Sequence, residues 1–405
     1  MNKYIKILLG CMILTSFYTH TIDLQSENLI VSRMTISDVF GGLAIVLFVM
    51  IKLSKKSKKT FFPLIYKLSF LVCFGFLMSV ITSLNVRSTI FETLIVLYLI
   101  LLSYVLFELF KKSIKQFSYL LTITCFFMSM IGLYDLVAVN NNWITVFENP
   151  SARHATSGFR YFAQAGNYSF TMLTIFIPLL YSEIDISLSK EFKIFLSVTI
   201  VLTVLFMIGS GAISIIISFG LGVVFFLIQN YKNKMLRIHL SLLLTSIFVF
   251  FMGICFFANK FYQNILHRVE SRVTKRNMET PDASFIVENF NNSIQAFKDN
   301  VFFGTGLGGF VNNYSEFEIH GTYLKMLGET GVIGLVFYVV FLVFFIRMIV
   351  RSKESFLTLF IPFLIASLIS WSYNYHFRKK EFWILLAFLM IVGEKNKKTT
   401  EYAEE

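Results

Sequence analysis

Apolar runs close to twenty residues long recur in this chain from one end to the other. Coiled as a helix, with a rise of about 1.5 Å per residue, such a run crosses the roughly 30 Å hydrocarbon core of a bilayer. The composition agrees, with 56% of residues hydrophobic and 15% charged, against about 25% charged in soluble domains. A water-soluble enzyme is therefore excluded. Forty-eight Phe beside only five Pro is too much apolar bulk for a disordered or fibrous chain. The expected fold is all-α: a polytopic membrane helical bundle of about twelve transmembrane helices, built as a single integral membrane domain over 1–405.

The twelve spans are expected at about 4–22, 36–51, 61–83, 89–110, 117–139, 166–182, 192–208, 212–229, 238–257, 330–346, 355–371 and 381–393. Segments on one side of this map carry 21 basic residues, among them Lys55, Lys56, Lys58 and Lys59, while the short segments of the other side carry five. Positive charge collects on the cytoplasmic side, so both termini are expected in the cytoplasm. The net charge of +12 is then a topology signal and not a nucleic-acid footprint. No small-residue cleavage site follows the first apolar run, which is kept as a helix and not a signal peptide. The last span is short, and Arg378-Lys379-Lys380 precedes it on the external side. Either the segment tilts and borrows flanking residues, or the triplet meets something anionic, or its side chains snorkel to the headgroups. Cys11, Cys73, Cys125 and Cys255 each stand alone in an apolar run, which suggests neither a disulfide framework nor a thiolate metal site.

Two external segments, 140–165 and 258–329, hold most of the chain outside the spans, so function is expected there. The first carries Arg153, His154 and Arg160 just before the chain re-enters through Gly166-Asn167-Tyr168. Arginine forks match phosphate oxygens bidentately, and basic groups at a membrane surface also meet lipid headgroups; both readings stay open. The second opens with His267, Arg268, Arg272, Lys275 and Arg276. Phe285, Ile286, Phe290, Ile294 and Phe297 then follow at helical spacing. That stripe marks an amphipathic helix, which either roofs a lateral opening for a lipid chain or packs onto the bundle. Gly304-Thr305-Gly306-Leu307-Gly308-Gly309 lacks the strand–helix setting of a dinucleotide site, and its glycines fit tight turns close to a ligand or to the bundle. His320 lies about ten residues before the next span. A neutral imidazole there can accept a proton from a hydroxyl, or it is simply a structural histidine.

The run from Gly304 to Gly334 resembles the bacterial O-antigen ligase and polymerase superfamily. That superfamily combines a Gly-x-Gly turn with a histidine placed ahead of Gly-x-x-Gly. After His320-Gly321, the nine residues Thr322 to Thr330 lead to Gly331 and Gly334, and the spacing fits. The large loop between spans nine and ten is similar as well. Three positions depart from the pattern: Gly321 follows the histidine, Gly209-Ser210-Gly211-Ala212 carries no arginine, and Asp282-Ala283-Ser284-Phe285 carries none.

The resemblance implies an external membrane glycosyltransferase that uses an undecaprenyl-diphosphate-linked oligosaccharide donor and a glycan or lipid acceptor, with no cofactor, metal or nucleic acid. It implies His320 as general base, and Arg160, Arg153, Arg272 and Arg276 as holders of the diphosphate. Gly304, Gly306, Gly331 and Gly334 would support the loop. Such a chain would work in the bacterial inner membrane on O-antigen, lipopolysaccharide, capsule or exopolysaccharide, beside other polysaccharide assembly proteins, and polymerisation is preferred over ligation. Two alternatives from other classes are a lipid-linked glycan flippase or transporter, and a noncatalytic partner of an assembly complex. The first would call for ionisable groups in mid-membrane, whereas Lys67, Glu92, Glu108 and Asp135 fall mostly near span ends.

Overall fold

The computed structural model describes residues 2–19, 35–54, 62–147, 153–159, 161–182, 188–258, 260, 262–263, 281–316, 318–319, 321–352 and 354–401. The helices used below are α1 (Asn2–Leu14), α2 (Ile36–Ser54), α3 (Leu64–Met78), α4 (Val86–Phe110), α5 (Ile114–Asn140), α6 (Phe162–Tyr181) and α7 (Lys190–Ser210). They continue with α8 (Ile213–Gln229), α9 (Lys234–Phe257), α10 (Pro281–Asp299), α11 (Thr322–Val350), α12 (Ser355–Ser370) and α13 (Lys380–Glu401). Every expected span carries a helix. Among the described residues, six helices are long and apolar enough to cross a membrane: α2, α3 with its 3-10 extension to Thr82, α4, α5, α7 and α11. Among the shorter apolar helices are α8, α12 and the Leu244–Phe257 part of α9.

Local chemistry sets several helix ends. Asn85 caps α4 by accepting from Ser88 N, and Ser189 caps α7 by accepting from Phe192 N. Gly211 closes α7 in the left-handed region, with φ of 71°. The α5 end meets the α9 end where Asn141 Nδ2 donates to Phe257 O, so the 140–165 and 258–329 segments leave the bundle at one end. Asp135, buried near that end, accepts from Val146 N at 2.7 Å and from Phe147 N at 3.2 Å. Its carboxylate thus anchors the first segment. At the opposite end Glu108 pairs with Lys111 at 2.8 Å and with Lys52 at 3.9 Å.

The short final span has a packing explanation. From Phe382 to Leu389 every residue of α13 is buried, and the helix runs on to Glu401. A helix that is apolar all round is a core helix and need not match the lipid thickness itself. Trp383 Nε1 donates to Phe377 O, and Ser103 Oγ of α4 donates to Trp383 O, so α13 is locked at its start.

Two of the three basic residues before it are held by carboxylates of the chain itself. Arg378 pairs with Glu92 of α4 at 2.9 Å and with Glu318 at 3.6 Å. Lys380 pairs with Asp38 of α2 at 2.7 Å and donates to Ser37 Oγ. For these two, neither an anionic ligand nor headgroup snorkelling is needed to explain the charge.

Two other expectations change. The expected span at 330–346 begins earlier, at Thr322, and is broken at Gly331, whose φ of 62° and ψ of −163° are not helical. The expected apolar stripe of α10 does not pack onto the bundle as a whole, since its Ile294 and Phe297 are only half-buried. Asn289, Ser293 and Ala296 are buried, while Val287 and Phe290 are 58% and 49% exposed. Asn289 Nδ2 donates to Glu318 O and Asn292 Nδ2 to Tyr314 O, so this helix docks through amides and small residues. Of the stripe, the side chains of Phe285 and Ile286 lie outside the described residues.

Candidate active site

The break at Gly331 sets the local structure. A helix interrupted there leaves carbonyls behind it and amides ahead of it without intrahelical partners, and buried backbone groups must find others. The glycine-rich loop supplies them. Thr305 N donates to Gly328 O at 3.1 Å and Gly306 N to Glu329 O at 2.9 Å. In return, Val332 N donates to Val301 O at 2.8 Å and Ile333 N to Phe302 O at 3.2 Å.

Such contact needs backbones without side chains between them. A Cβ on Gly331 would stand 2.6 Å from Gly304 N, and a Cβ on Gly304 would strike the Glu329 carbonyl. Gly304 and Gly306 also hold φ of 71° and 82°, the region glycine occupies freely. Gly334 serves a different contact: a Cβ on Gly75 of α3 would come 3.1 Å from Gly334 Cα, so α3 and α11 cross at a glycine pair. The two glycine motifs thus form one structural device, turned toward the bundle.

The other side of the loop is tied to the start of α4. Thr82 Oγ1 donates to Gly304 O at 2.6 Å, Leu84 N to Thr305 O at 3.0 Å, and Thr89 Oγ1 to Leu307 O at 3.1 Å. Gly308 N donates to Glu329 Oε2 at 3.0 Å. Glu329 is fully buried, and its carboxylate meets Lys325 Nζ at 3.2 Å. Lys325, whose side chain is 3% exposed, also faces Glu318 at 3.8 Å and lies over the Tyr375 ring. Through Glu318 this pair joins Arg378 and Glu92. The result is a charged chain that clamps the loop, α4, α11 and the turn before α13 to each other.

Beside this clamp, α6, α12, the 371–379 turn and the start of α13 enclose a cleft. Its polar lining includes Asn167, Ser370, Asn374, His376, Lys379 and Glu381. His376 is 4% exposed and stacks on Trp371 with centroids 3.7 Å apart. Its Nδ1 lies 2.7 Å from Thr322 Oγ1. Burial, reinforced by the Lys379 ammonium, holds its pKa well below the ordinary value.

Of the residues expected to act, His320, Arg160, Arg272 and Arg276 lie outside the described residues. The chain on either side of His320 is described. Ile319 packs in a small cluster with Ala296 and Phe310, and Thr322 N donates to Trp371 O at 2.8 Å. Gly321, with φ of 96°, has no room for a Cβ against Ser372 O. A side chain at this position would have to displace the 371–379 turn. Arg153 is exposed on a segment whose Ala155 N donates to Gly209 O at 2.8 Å. His154 stacks on Phe162 at the head of α6. The 209–212 turn that lacks an arginine is packed tightly, with Ala155 against Gly209 and Ala212 against Gly166.

Residues 198–339, from within α7 to within α11, match the family model described as O-antigen ligase. The match covers about a third of the chain, and that stretch is similar to the O-antigen ligase family. A search of curated proteins finds no match. The matched stretch contains His320, the glycine loop, Lys325 and Glu329. Glu92, His376 and Arg378, which complete the clamp and the cleft, lie beyond it.

Reading the sequence for charge grouped the basic triplet with the 258–329 segment that Arg378 meets through Glu318, but missed its carboxylate partners and the cleft histidine. A signal was present. Asn374-Tyr375-His376 lies one residue before the triplet, so a titratable ring and three cations are crowded into the five residues 376–380.

Proposed function

We propose that this chain is a membrane glycosyltransferase that transfers oligosaccharide from a polyprenyl-diphosphate carrier on the external face of the bacterial cytoplasmic membrane, with polymerisation preferred over ligation. The observation that carries the reading is the O-antigen ligase match over 198–339, which spans the loop and helix clamped by Glu329. The match supports donor and acceptor handling of this class, and the multiple apolar helices support a bilayer setting for the lipid tail.

In this reading His320 takes the proton of the acceptor hydroxyl as that oxygen attacks the anomeric carbon. The sugar–phosphate bond breaks, and the polyprenyl diphosphate leaves with the electron pair. Arg153, Arg160, Arg272 and Arg276 offset the charge that develops on the diphosphate, the role a fixed guanidinium fills without reorganisation at the moment of reaction. The clamp contributes order: Thr322 and Gly321, next to His320 in the chain, are held against the 371–379 turn. A positioned base of this kind is worth about a hundred- to ten-thousandfold in rate.

His320→Ala should therefore abolish transfer from a purified lipid-linked repeat unit while leaving membrane abundance unchanged. Full activity in that variant removes the base assignment. In the same assay, growing chains identify a polymerase, single transfers a ligase, and no transfer by the wild type overturns the enzyme reading.

A further inference from the structure

The buried imidazole of His376 presents one nitrogen that the protein itself does not use. Its hydrogen-bond pattern assigns the proton. Asn374 O is a carbonyl and can only accept, so the 2.8 Å contact to Thr322 Oγ1 takes the hydroxyl hydrogen. The same Oγ1 accepts from His376 N at 3.2 Å. With its hydrogen already directed at Asn374, Oγ1 accepts from Nδ1–H as well, at 2.7 Å. Nδ1 therefore carries the proton and Nε2 carries a lone pair. No protein group among the described residues donates to that Nε2, which is buried. A buried acceptor without a partner is destabilising, so the ring points to a donor that arrives from outside the chain.

The cleft restricts what that donor is. It offers about 20 Å³ to water-sized groups, room for one hydroxyl or water and not for a sugar ring. Lys379 lines the same cleft, half-buried and with no carboxylate within ion-pair distance among the described residues. Burial lowers its pKa, and Glu381 pulls the other way. An acceptor nitrogen and a donor ammonium on one small cleft suit a group that gives one hydrogen bond and takes another, as an alcohol does. Asn167 and Asn374 line the cleft too, with Asn167 Nδ2 donating to Ala163 O and to Asn374 Oδ1, and Asn374 Nδ2 donating to Ser370 O, so these amides are held in place by the protein.

We propose that the His376–Lys379 cleft is a glycan subsite that accepts a single sugar hydroxyl, with His376 Nε2 as its hydrogen-bond acceptor. This deepens the glycosyl-transfer reading and rests on it. His376 binds rather than deprotonates: an imidazole held neutral by burial is a weak base, which suits an acceptor and leaves proton removal to His320. Thr322, two residues beyond His320, is the positioning residue that fixes the tautomer.

The test is equilibrium binding of two probes to the full-length protein in nanodiscs. One is the lipid-linked oligosaccharide pool extracted from the source organism's membranes, and the other is polyprenyl diphosphate without sugar. His376→Phe keeps the stacking on Trp371 and removes the acceptor, whereas His376→Gln restores an acceptor oxygen. His376→Phe should bind the glycan-bearing lipid about tenfold more weakly and bind the sugar-free lipid unchanged, and His376→Gln should recover most of the loss. Should His376→Phe fail to assemble, Lys379→Met must show the same selective weakening. Equal binding of the glycan-bearing lipid by His376→Phe and wild type overturns the proposal and leaves the cleft to a water. Equal weakening with both probes also overturns it, in favour of a packing role. Wild type that binds and discriminates in this way but transfers nothing overturns only the transferase reading, whereas wild type that binds neither probe overturns both.

Discussion

Lys325 and Glu329 lie on successive turns of α11, 3% and 0% exposed, with their charged atoms 3.2 Å apart. Removing one member of a buried pair strands the other charge in a low dielectric, which costs about 3–5 kcal/mol, whereas replacing both members is often close to neutral. Glu329 has a second duty, since its carboxylate accepts from Gly308 N. The informative cycle is therefore Lys325→Met, Glu329→Gln and the double variant, because the Gln oxygen still accepts from Gly308. Lys325→Met should lose about 3–5 kcal/mol, for it leaves Glu329 charged and buried. Glu329→Gln should lose less, because Lys325 keeps Glu318 at 3.8 Å. The double variant strands no charge and keeps the loop bond, so it should recover to within about 1 kcal/mol of wild type. The assay is SDS-driven unfolding in mixed micelles, followed by tryptophan fluorescence, with Trp371 and Trp383 both near the clamp. A cost below about 1 kcal/mol for Lys325→Met, the value of an exposed pair, would refute the reasoning. So would a double variant no more stable than Lys325→Met alone.

Two further outcomes follow from the same geometry. Gly331→Ala places a side chain at φ of 62° and ψ of −163°, a backbone region that costs other residues about 1–3 kcal/mol, and drives its Cβ to 2.6 Å from Phe302 O and Gly304 N. It should destabilise the chain by at least that amount and impair transfer, while Gly42→Ala, with nothing within 4 Å of the added carbon, should do neither; parallel unfolding curves decide it. His376 gives stability a pH dependence. Its folded-state pKa is depressed, so below the unfolded value of about 6.5 only the unfolded chain takes up the proton. Stability should fall as pH drops below about 6.5, by up to about 1.4 kcal/mol per unit, until the folded-state pKa is reached. His376→Gln should lack this component, and identical pH profiles for the two proteins would refute it.

The helices were legible because each rests on a local pattern, a long apolar run with polar ends. The spacing from Gly304 to Gly334 was legible as a motif, but its meaning was not. Only the contact between Gly304 and Gly331, 27 positions apart, shows that one glycine set exists to satisfy the break made by the other. The clamp was beyond reach for a similar reason: Glu92 and Arg378 stand 286 positions apart, and nothing local to either names its partner. For α10 the sequence left open whether the apolar stripe roofs a lateral opening or packs onto the bundle. Apolar residues usually face the protein, but in a membrane protein lipid is an equally apolar surrounding, so the stripe need not turn inward. Here the inward face carries Asn289 and Asn292, amides that find carbonyls in the loop.

Arg378, Lys379 and Lys380 are adjacent cations, yet electrostatics gives each a different use. The turn through 377–379 and the start of α13 at Lys380 send the three side chains to different neighbours. Arg378 lies against Glu92 and Glu318, and Lys380 against Asp38. An approaching diphosphate would meet the repulsion of those carboxylates along with the attraction of the cations, so neither pair offers much net gain to an anion. Lys379 faces the cleft and His376 instead, and its charge helps keep the imidazole neutral. In the proposed reading the diphosphate is then left to Arg153, Arg160, Arg272 and Arg276, on the two segments outside the bundle, while the triplet fixes the clamp and furnishes one donor to the glycan subsite. A cation already neutralised inside a protein organises the site around it more effectively than it binds a second anion.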